Sequence, residues 1–209
     1  MHQLTKGILI AIEGIDGSGK SSLAKNLHEL LAQKYAVLLT KEPGGTPLGR
    51  QLRAIVQEKK VPVCPKAEFM LFATDRAQHF HELIVPALTA GKIIISDRMS
   101  DSSVVYQGYG RGLDMNAIKA VNEFVMNSIK PDITVYVKVN ANVAIDRILK
   151  RGENLTSFEK EEGGRFIERL AYGFDELYKN RPDVIIIDGN QSQEQVTQEA
   201  LIRLRSLLR

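Results

Sequence analysis

Residues 14–21, which read GIDGSGKS, constrain the fold of this chain more than any other segment. They fit the pattern G-x-x-x-x-G-K-[S/T], in which glycines let consecutive backbone N–H groups surround an anion and a lysine adds positive charge. The apolar run 8–12 before them is typical of a strand, and Leu23 and Leu27 after them have helical spacing. A strand, loop and helix in this order place a bound phosphate at the helix N-terminus. The segment therefore predicts a site for ATP or GTP, with the Ser21 hydroxyl as a Mg²⁺ ligand.

Short runs rich in isoleucine and valine predict the rest of the core. Most are apolar at consecutive positions, as in strands buried on both faces of a parallel sheet, and they lie at 8–12, 36–39, 93–95, 133–139 and 184–187. Helix start signals lie between them, namely Thr46 with Pro47, Asp114, and Ser192 with Gln195. This alternation predicts an α/β protein with the P-loop NTPase fold, in which three α/β/α layers enclose a five-stranded parallel sheet.

The composition of the 209 residues excludes several classes of protein. Hydrophobic residues make up 44% and charged residues 25%, as in an ordinary globular domain, so we expect one domain over 1–209. The net charge of +3 is too small to predict a nucleic-acid partner. The single cysteine, Cys64, excludes an internal disulfide framework and a CxxC zinc site. Without a signal-peptide pattern or an apolar run of about 18 residues, the sequence predicts a cytoplasmic protein with no membrane partner.

Three further segments supply candidate site residues. Asp97 and Arg98 follow a predicted strand, at the end where ligands bind in open α/β sheets. An acid there can hold Mg²⁺, although a surface ion pair of Asp97 with Arg98 is the alternative. Residues 41–46, which read KEPGGT, form either a substrate loop or an ordinary turn. Phe72 and Arg76 share a face of a helix that can stack on a base and read its edge, but Phe72 is alternatively a core residue.

Together these segments resemble the thymidylate kinase family, whose members transfer a phosphate from ATP to dTMP. The matching segments follow the family's order over nearly the full length, and they are 13–22, 41–46, 71–78, 97–98, 102–108, 110–114 and 187–189. The resemblance implies a nucleoside monophosphate kinase-like fold, a homodimer, dTMP as substrate, and ATP with Mg²⁺. It also implies that ATP is bound by Gly14, Ile15, Asp16, Gly17, Ser18, Gly19, Lys20, Ser21 and Ser22, and the metal by Ser21 and Asp97.

The same resemblance implies how dTMP is bound. Phe72 would stack on thymine, and Arg76 would donate to thymine O4, which disfavours cytosine because its amino group is also a donor. Ser103 and Gln107 would lie at the base, and Tyr106 would crowd the 2′ position of the sugar. The remaining implied contacts are Asp16 at the 3′-hydroxyl, Arg53 and Arg98 at the phosphate, and Glu42, which precedes a proline that is cis in the family.

The implied reaction needs positioning and charge neutralisation more than a general base, because the dTMP phosphate is already mostly dianionic near pH 7. One branch of the family carries an arginine in the phosphate loop, where this chain has Gly17. The chain therefore resembles the bacterial branch, in which a lid supplies the arginine, here around 147–164. Arg147 and Arg151 share one face of a predicted helix, with a solvated basic helix end as the alternative. The catalytic residues so implied are Asp16, Lys20, Arg98, Arg147 and Arg151.

The chain departs from the family pattern in and after this lid. Where the family has Asp-Arg-Phe-Glu, residues 156–159 read TSFE. An arginine of the family is replaced by Ala171, and a tyrosine by Phe174. Because Ser157 stands where the second lid arginine is expected, we predict that Arg151 is the main lid arginine.

Other hypotheses remain open from the sequence. The first is a P-loop kinase for another deoxynucleotide or a deoxynucleoside, and the second is a non-catalytic nucleotide-binding protein, which only the altered lid favours. A GTPase is disfavoured because the sequence has no Asn-Lys-x-Asp segment for guanine.

Overall fold

The computed structural model describes residues 6–58, 62–150, 164–205 and 207–208. Its core is a five-stranded parallel sheet with the strand order β2-β3-β1-β4-β5. The strands are β1 (Ile8–Glu13), β2 (Val37–Lys41), β3 (Ile93–Asp97), β4 (Ile133–Lys138) and β5 (Val184–Asp188). All five runs predicted from the sequence are confirmed as strands, with ends displaced by one or two residues.

Helices connect the strands in the alternation that the sequence predicts. They are α1 (Lys20–Leu31), α2 (Pro47–Glu58), α3 (Pro65–His79), α4 (Val85–Thr89), α5 (Ser100–Ser103), α6 (Met115–Val125), α7 (Ala141–Lys150), α8 (Arg165–Tyr178) and α9 (Gln193–Leu204). Two π-helical segments, Phe80–Ile84 and Val104–Gly110, continue α3 and α5. Within the described ranges, none of the helices has the length and apolar character needed to cross a membrane.

The predicted helix starts are confirmed by their hydrogen bonds. Thr46 Oγ1 accepts from the Gly49 amide at 2.9 Å. Asp114 accepts from two backbone amides at the start of α6, and Ser192 with Gln195 forms a capping box at the start of α9. Each cap satisfies backbone donors that the first helical turn leaves unpaired.

The two faces of β1 belong to different layers. Ile8, Ile10 and Ile12 pack with residues of α1 and α9. Leu9 and Ala11 pack on the opposite face, in a cluster that includes the π-helical segment after α3. The three-layer α/β/α prediction is therefore confirmed, and both faces of the central strand are buried.

The parallel register brings three strand ends together. Asp97, the last residue of β3, pairs with Ile12 of β1 on one side and with Lys41 of β2 on the other. The loop 14–19, the segment after Lys41 and the backbone at Arg98 therefore leave the sheet side by side. This edge is where ligands bind in open α/β folds.

Candidate active site

A cavity of about 980 Å³ opens at this edge of the sheet. The predicted site residues that line it are Asp16, Gly17, Gly19, Lys20, Ser21, Ser22, Glu42, Arg53, Phe72, Arg76, Asp97, Arg98, Ser103, Tyr106, Gln107 and Arg147. Gly14, Ile15 and Ser18 lie outside this lining, and Ser18 borders a second cavity of about 270 Å³. Arg151 lies outside the described residues, as do 152–163 of the predicted lid.

The phosphate loop folds back toward its own lysine. Helix α1 begins at Lys20, whose Nζ donates to the Ile15 carbonyl at 3.3 Å and lies 3.5 Å from Asp16 Oδ1. Burial and the neighbouring Arg98 charge lower the pKa of Lys20. The lysine thus lies at the N-terminus of α1, where the helix dipole also favours a phosphate.

Gly17 leaves no room for a side chain. Its φ is +78°, and a Cβ placed on it would lie 2.4 Å from the Ala144 carbonyl oxygen of α7. Helix α7 therefore packs directly on the phosphate loop. An arginine side chain at position 17 would therefore displace α7.

Arg98, Asp16 and Tyr106 form a closed hydrogen-bonded triangle in the cavity. Arg98 Nη2 donates to Asp16 Oδ1 and, at 2.9 Å, to the Tyr106 hydroxyl. That hydroxyl donates in turn to Asp16 Oδ2 at 3.0 Å. Burial by itself would raise the pKa of Asp16, but the charges of Arg98 and Lys20 hold it well below its usual range. Asp16 is therefore an ionised acceptor at neutral pH.

The Arg98 backbone is held in an unusual conformation. Its φ is +75°, a region that non-glycine residues seldom occupy and that occurs at functional sites. The Arg98 amide donates to the Ile12 carbonyl at 2.9 Å, and its carbonyl accepts from Ser96 Oγ at 2.8 Å. In the described part of the chain no ion pair joins Asp97 and Arg98, so the surface-pair alternative for Arg98 is wrong.

Asp97 and Ser21 form a small oxygen site beside Lys20. Ser21 Oγ donates to Asp97 Oδ2 at 2.5 Å. Asp97 Oδ1 is buried and has no hydrogen-bond partner among the described residues. Magnesium takes hard oxygen ligands and commonly uses only one or two protein groups, together with water and phosphate. Ser21 and Asp97 fit such an ion. Among the described residues, no group of three or more His, Cys, Asp or Glu side chains is placed to hold a metal ion.

A buried polar network joins the segment after β2 to α3, and Thr40, Glu42 and Arg76 of this network border the cavity. Glu42 Oε2 accepts from Arg76 Nε at 2.8 Å, and Glu42 Oε1 lies 2.9 Å from His79 Nδ1. His79 Nε2 in turn lies 2.7 Å from Thr40 Oγ1. Burial by itself would raise the pKa of Glu42, but Arg76 and His79 lower it. The Glu42–Pro43 peptide bond is cis, as the resemblance implies.

The other predicted base and phosphate contacts are also held by neighbours. Arg53 Nη1 donates to the Pro43 carbonyl at 2.9 Å, which draws α2 toward the segment after β2. Gln107 Nε2 donates to Glu68 Oε1 at 3.1 Å. Phe72 borders the cavity and also packs against the core cluster around α8, so its side chain is part of the core and is also open to the cavity.

Arg147 connects α7 to the loop after β5. Its Nη1 donates to the Gly189 carbonyl at 2.9 Å, and its side chain borders both cavities. The smaller cavity is lined in addition by Gly19 of the phosphate loop and by Gln191. Arg147 is thus placed at the phosphate loop and is not a freely solvated helix end.

Two residues that sequence reasoning left without a role support the site residues, Glu13 through Ser102 and Asn122 by direct contact with Arg76. Glu13, buried at the end of β1, accepts from the Met99 amide at 2.8 Å and from Ser102 Oγ at 2.6 Å. Asn122 of α6 accepts from Arg76 at 2.7 Å. The signal for Glu13 was an acid inside an otherwise apolar strand. An asparagine on the buried side of an amphipathic helix was the signal for Asn122.

Comparisons with known proteins agree along the chain. A family model described as thymidylate kinase matches residues 12–200. The thymidylate kinase of Halothermothrix orenii is 38% identical over 207 residues, which cover 97% of this chain and 99% of that protein. That of Staphylococcus epidermidis is 38% identical over 191 residues, covering 91% and 93%. The crystal structure of thymidylate kinase from Ehrlichia chaffeensis superposes with a TM-score of 0.77 at 32% identity, covering 95% of this chain and 99% of that one.

Proposed function

We propose a residue-level account of catalysis for this chain, which belongs to the thymidylate kinase family and phosphorylates dTMP with ATP in dTTP synthesis. The observation that carries the account is the cavity in which Lys20, Arg98 and Arg76 border one continuous space. The bond between the γ-phosphorus of ATP and the bridging oxygen to its β-phosphate breaks, and a phosphate oxygen of dTMP bonds to that phosphorus. The products are ADP and dTDP.

The donor nucleotide binds at the phosphate loop. Backbone amides of residues 14–21 and Lys20 hold its phosphates, since this is where the N-terminus of α1 meets the cavity. Ser21 and Asp97 would hold Mg²⁺, supported by the buried Asp97 oxygen that lacks a partner among the described residues. When bound, the ion neutralises charge on the donor phosphates.

The acceptor dTMP lies with its phosphate toward Arg98 and Arg53 and its base toward Phe72. Arg98 is positioned to draw the two negatively charged groups together, because its guanidinium lies between the phosphate loop and Tyr106. Asp16 accepts from the 3′-hydroxyl, and Tyr106 blocks the 2′ position. Arg76 and Gln107 face the base, whereas Glu42 acts by fixing Arg76.

The lid arginines supply charge over the transferring phosphoryl group. Arg147 acts from the phosphate-loop side, where it is fixed to the Gly189 carbonyl. Arg151 is the main lid arginine, supported by the absence of space at Gly17 and by Ser157 in place of the second arginine. Preorganised positive groups of this kind stabilise the equatorial oxygens of the transition state.

The same family membership supports a proposal for the assembly and the cellular setting. A homodimer is supported by large apolar side chains that remain exposed on α2, α3 and α6. A cytoplasmic setting is supported by the use of ATP and by the single, unpaired Cys64. The partner is a small nucleotide and not a nucleic acid, in keeping with the modest net charge of +3.

Coupled detection of ADP with ATP, Mg²⁺ and each of dTMP, dUMP, dCMP and thymidine tests this function. We expect the highest kcat/KM with dTMP. The matched variant Lys20→Met keeps a long side chain without its charge and should lose dTMP-dependent ADP formation. If the wild-type chain forms no ADP in response to dTMP, the catalytic proposal is wrong, and a preference for dCMP or thymidine would favour another P-loop kinase.

A further inference from the structure

We propose that Asn122 is a positioning residue for base selection, acting on dTMP through Arg76. The inference rests on the proposed role of Arg76 at the thymine base. Asn122 lies on α6, 46 positions after Arg76 in the chain, and only 4% of its surface is exposed. It does not line the cavity among the described residues, so it acts without touching the substrate.

Three of the five N–H donors of Arg76 are held by the protein. Its Nε donates to Glu42 Oε2 at 2.8 Å, and its Nη1 donates to Asn122 Oδ1 at 2.7 Å and to Ser103 Oγ at 3.2 Å. No hydrogen bond from Nη2 to another described residue is found, while Arg76 borders the cavity. Because a guanidinium is planar, fixing Nε and Nη1 also fixes the direction of the two Nη2 donors.

The Asn122 amide is itself oriented. Its Nδ2 donates to the Ser100 carbonyl at 3.3 Å, which leaves Oδ1 as the atom that faces Arg76. The arrangement also suits the local charge. Glu42 already supplies one buried carboxylate for Arg76, with side chains that are 3% and 2% exposed. A neutral acceptor on Nη1 completes the clamp without a second negative charge, so the Nη2 donors remain available to a neutral base.

This geometry makes Asn122 matter only for substrates that Arg76 recognises. Thymine and uracil have a keto oxygen at position 4, which accepts from Nη2. Cytosine has an amino group there, which cannot accept. Loosening Arg76 should therefore weaken dTMP and dUMP together and leave the weaker substrate dCMP unchanged, whereas a general packing defect would affect all three alike.

The test compares kcat and KM for dTMP, dUMP and dCMP in Asn122→Leu, which replaces the amide by an apolar side chain of similar size. A hydrogen bond to a charged group accounts for roughly tenfold in affinity. We expect KM for dTMP and dUMP to rise by roughly that factor, kcat to stay within about twofold, and the dTMP-to-dCMP ratio of kcat/KM to fall roughly tenfold. Asn116→Leu, on the exposed part of the same helix, should leave the ratio unchanged.

Additional variants keep the result interpretable. Asn122→Ser, whose hydroxyl is too short to reach Arg76, should lower the ratio in the same direction if Asn122→Leu does not fold. In an Arg76→Lys background, Asn122→Leu should cause no further fall in the ratio, because lysine lacks the Nη1 atom that donates to Asn122. An unchanged ratio in both Asn122 variants, or an equal loss for all three nucleotides, overturns the proposal. An unchanged ratio in Arg76→Lys alone instead overturns the proposed role of Arg76.

Discussion

At the scale of single residues, the buried carboxyl group of Glu13 holds the segment that follows β3. Its carboxyl group accepts hydrogen bonds from the backbone amides of Met99 at 2.8 Å and Ser102 at 3.2 Å, and from the Ser102 hydroxyl at 2.6 Å. Ser102 Oγ also accepts from Arg98 Nη1 at 3.0 Å, so Glu13 is one residue removed from the proposed phosphate arginine. Burial, and secondarily the charge of Asp101, raises the pKa of Glu13 to about 7.

This raised pKa leads to a prediction for Glu13→Gln. The folded state binds the Glu13 proton more tightly than the unfolded state does. Protonation of Glu13 therefore makes its full contribution to the free energy of unfolding below the unfolded pKa of 4.5, and this contribution is lost as pH rises through about 7. Glutamine does not titrate. We therefore expect the unfolding free energy of Glu13→Gln, relative to wild type, to rise by up to about 3 kcal/mol between pH 4.5 and pH 8. Urea denaturation across that range measures it, and a difference that does not vary with pH would contradict the assignment.

Gly17 gives a second prediction at the residue scale. Alanine there would need a φ of +78°, and its Cβ would lie 2.4 Å from the Ala144 carbonyl oxygen. Because the atoms of Ala144 that it meets belong to the backbone, they cannot move aside as a flexible side chain could. We expect Gly17→Ala to destabilise the protein by more than about 1 kcal/mol. Gly112 is the matched control, because its φ is +73° but no atom lies within 4 Å of its Cβ position. A smaller loss of Tm in Gly112→Ala isolates the clash, whereas equal losses would mean that α7 does not restrict this position.

At the scale of elements, α7 connects the phosphate loop with the loop after β5. Its Ala144 carbonyl lies against the phosphate loop, and its Arg147 donates to the Gly189 carbonyl after β5. Arg151, the proposed main lid arginine, follows Lys150, the last residue given for α7, directly in the sequence. The helix therefore fixes Arg147, one of the two arginines proposed to act at the transferring phosphoryl group.

Substitution of the lid arginines tests this division of roles. Arg151→Ala should lower kcat by at least roughly 100-fold, since an arginine at the transferring group contributes about 10³–10⁵ in related phosphoryl transfers. Arg147→Ala should have a smaller effect on kcat and should raise KM for ATP, because Arg147 borders the phosphate loop. Lys150→Ala, on the adjacent residue, serves as the control. A kcat near wild type in Arg151→Ala would show that another group supplies the charge.

Sequence reasoning predicted the elements well because their signals are local. The apolar runs, the Thr46 and Asp114 caps and the phosphate loop each lie within a few residues, and each is where the sequence places it. The contacts of Glu13 with Ser102 and of Asn122 with Arg76 join residues 89 and 46 positions apart. Such pairs depend on strand order and helix packing, which short-range patterns do not contain. The clash at Gly17 was missed for the same reason, since its partner lies on α7.

At the scale of the whole molecule, several of the exposed large apolar side chains lie on three neighbouring helices, α2, α3 and α6. Phe124 of α6 is 82% exposed, Met70 of α3 is 52% exposed and Ile55 of α2 is 43% exposed. Helix α3 packs against both α2 and α6. Phe69 and Phe72 of α3 are less available to a second copy, because Phe69 is buried in the core and Phe72 borders the cavity. The residues available for the proposed homodimer are thus different members of the same helices.

Phe124→Glu tests whether this face joins two copies of the chain. A phenylalanine exposed to this extent contributes apolar area when a second copy covers it, and a carboxylate in its place would be buried without a partner. We expect sedimentation of the wild-type chain at about twice its mass of 23.3 kDa and a shift of Phe124→Glu toward the single-chain mass. Ile202→Glu is the control, because Ile202 is 58% exposed on α9, which packs mainly against α1 and β5. A wild-type chain that sediments as a monomer would contradict the proposed homodimer. A Phe124→Glu variant that remains a dimer would mean that the interface lies on another face.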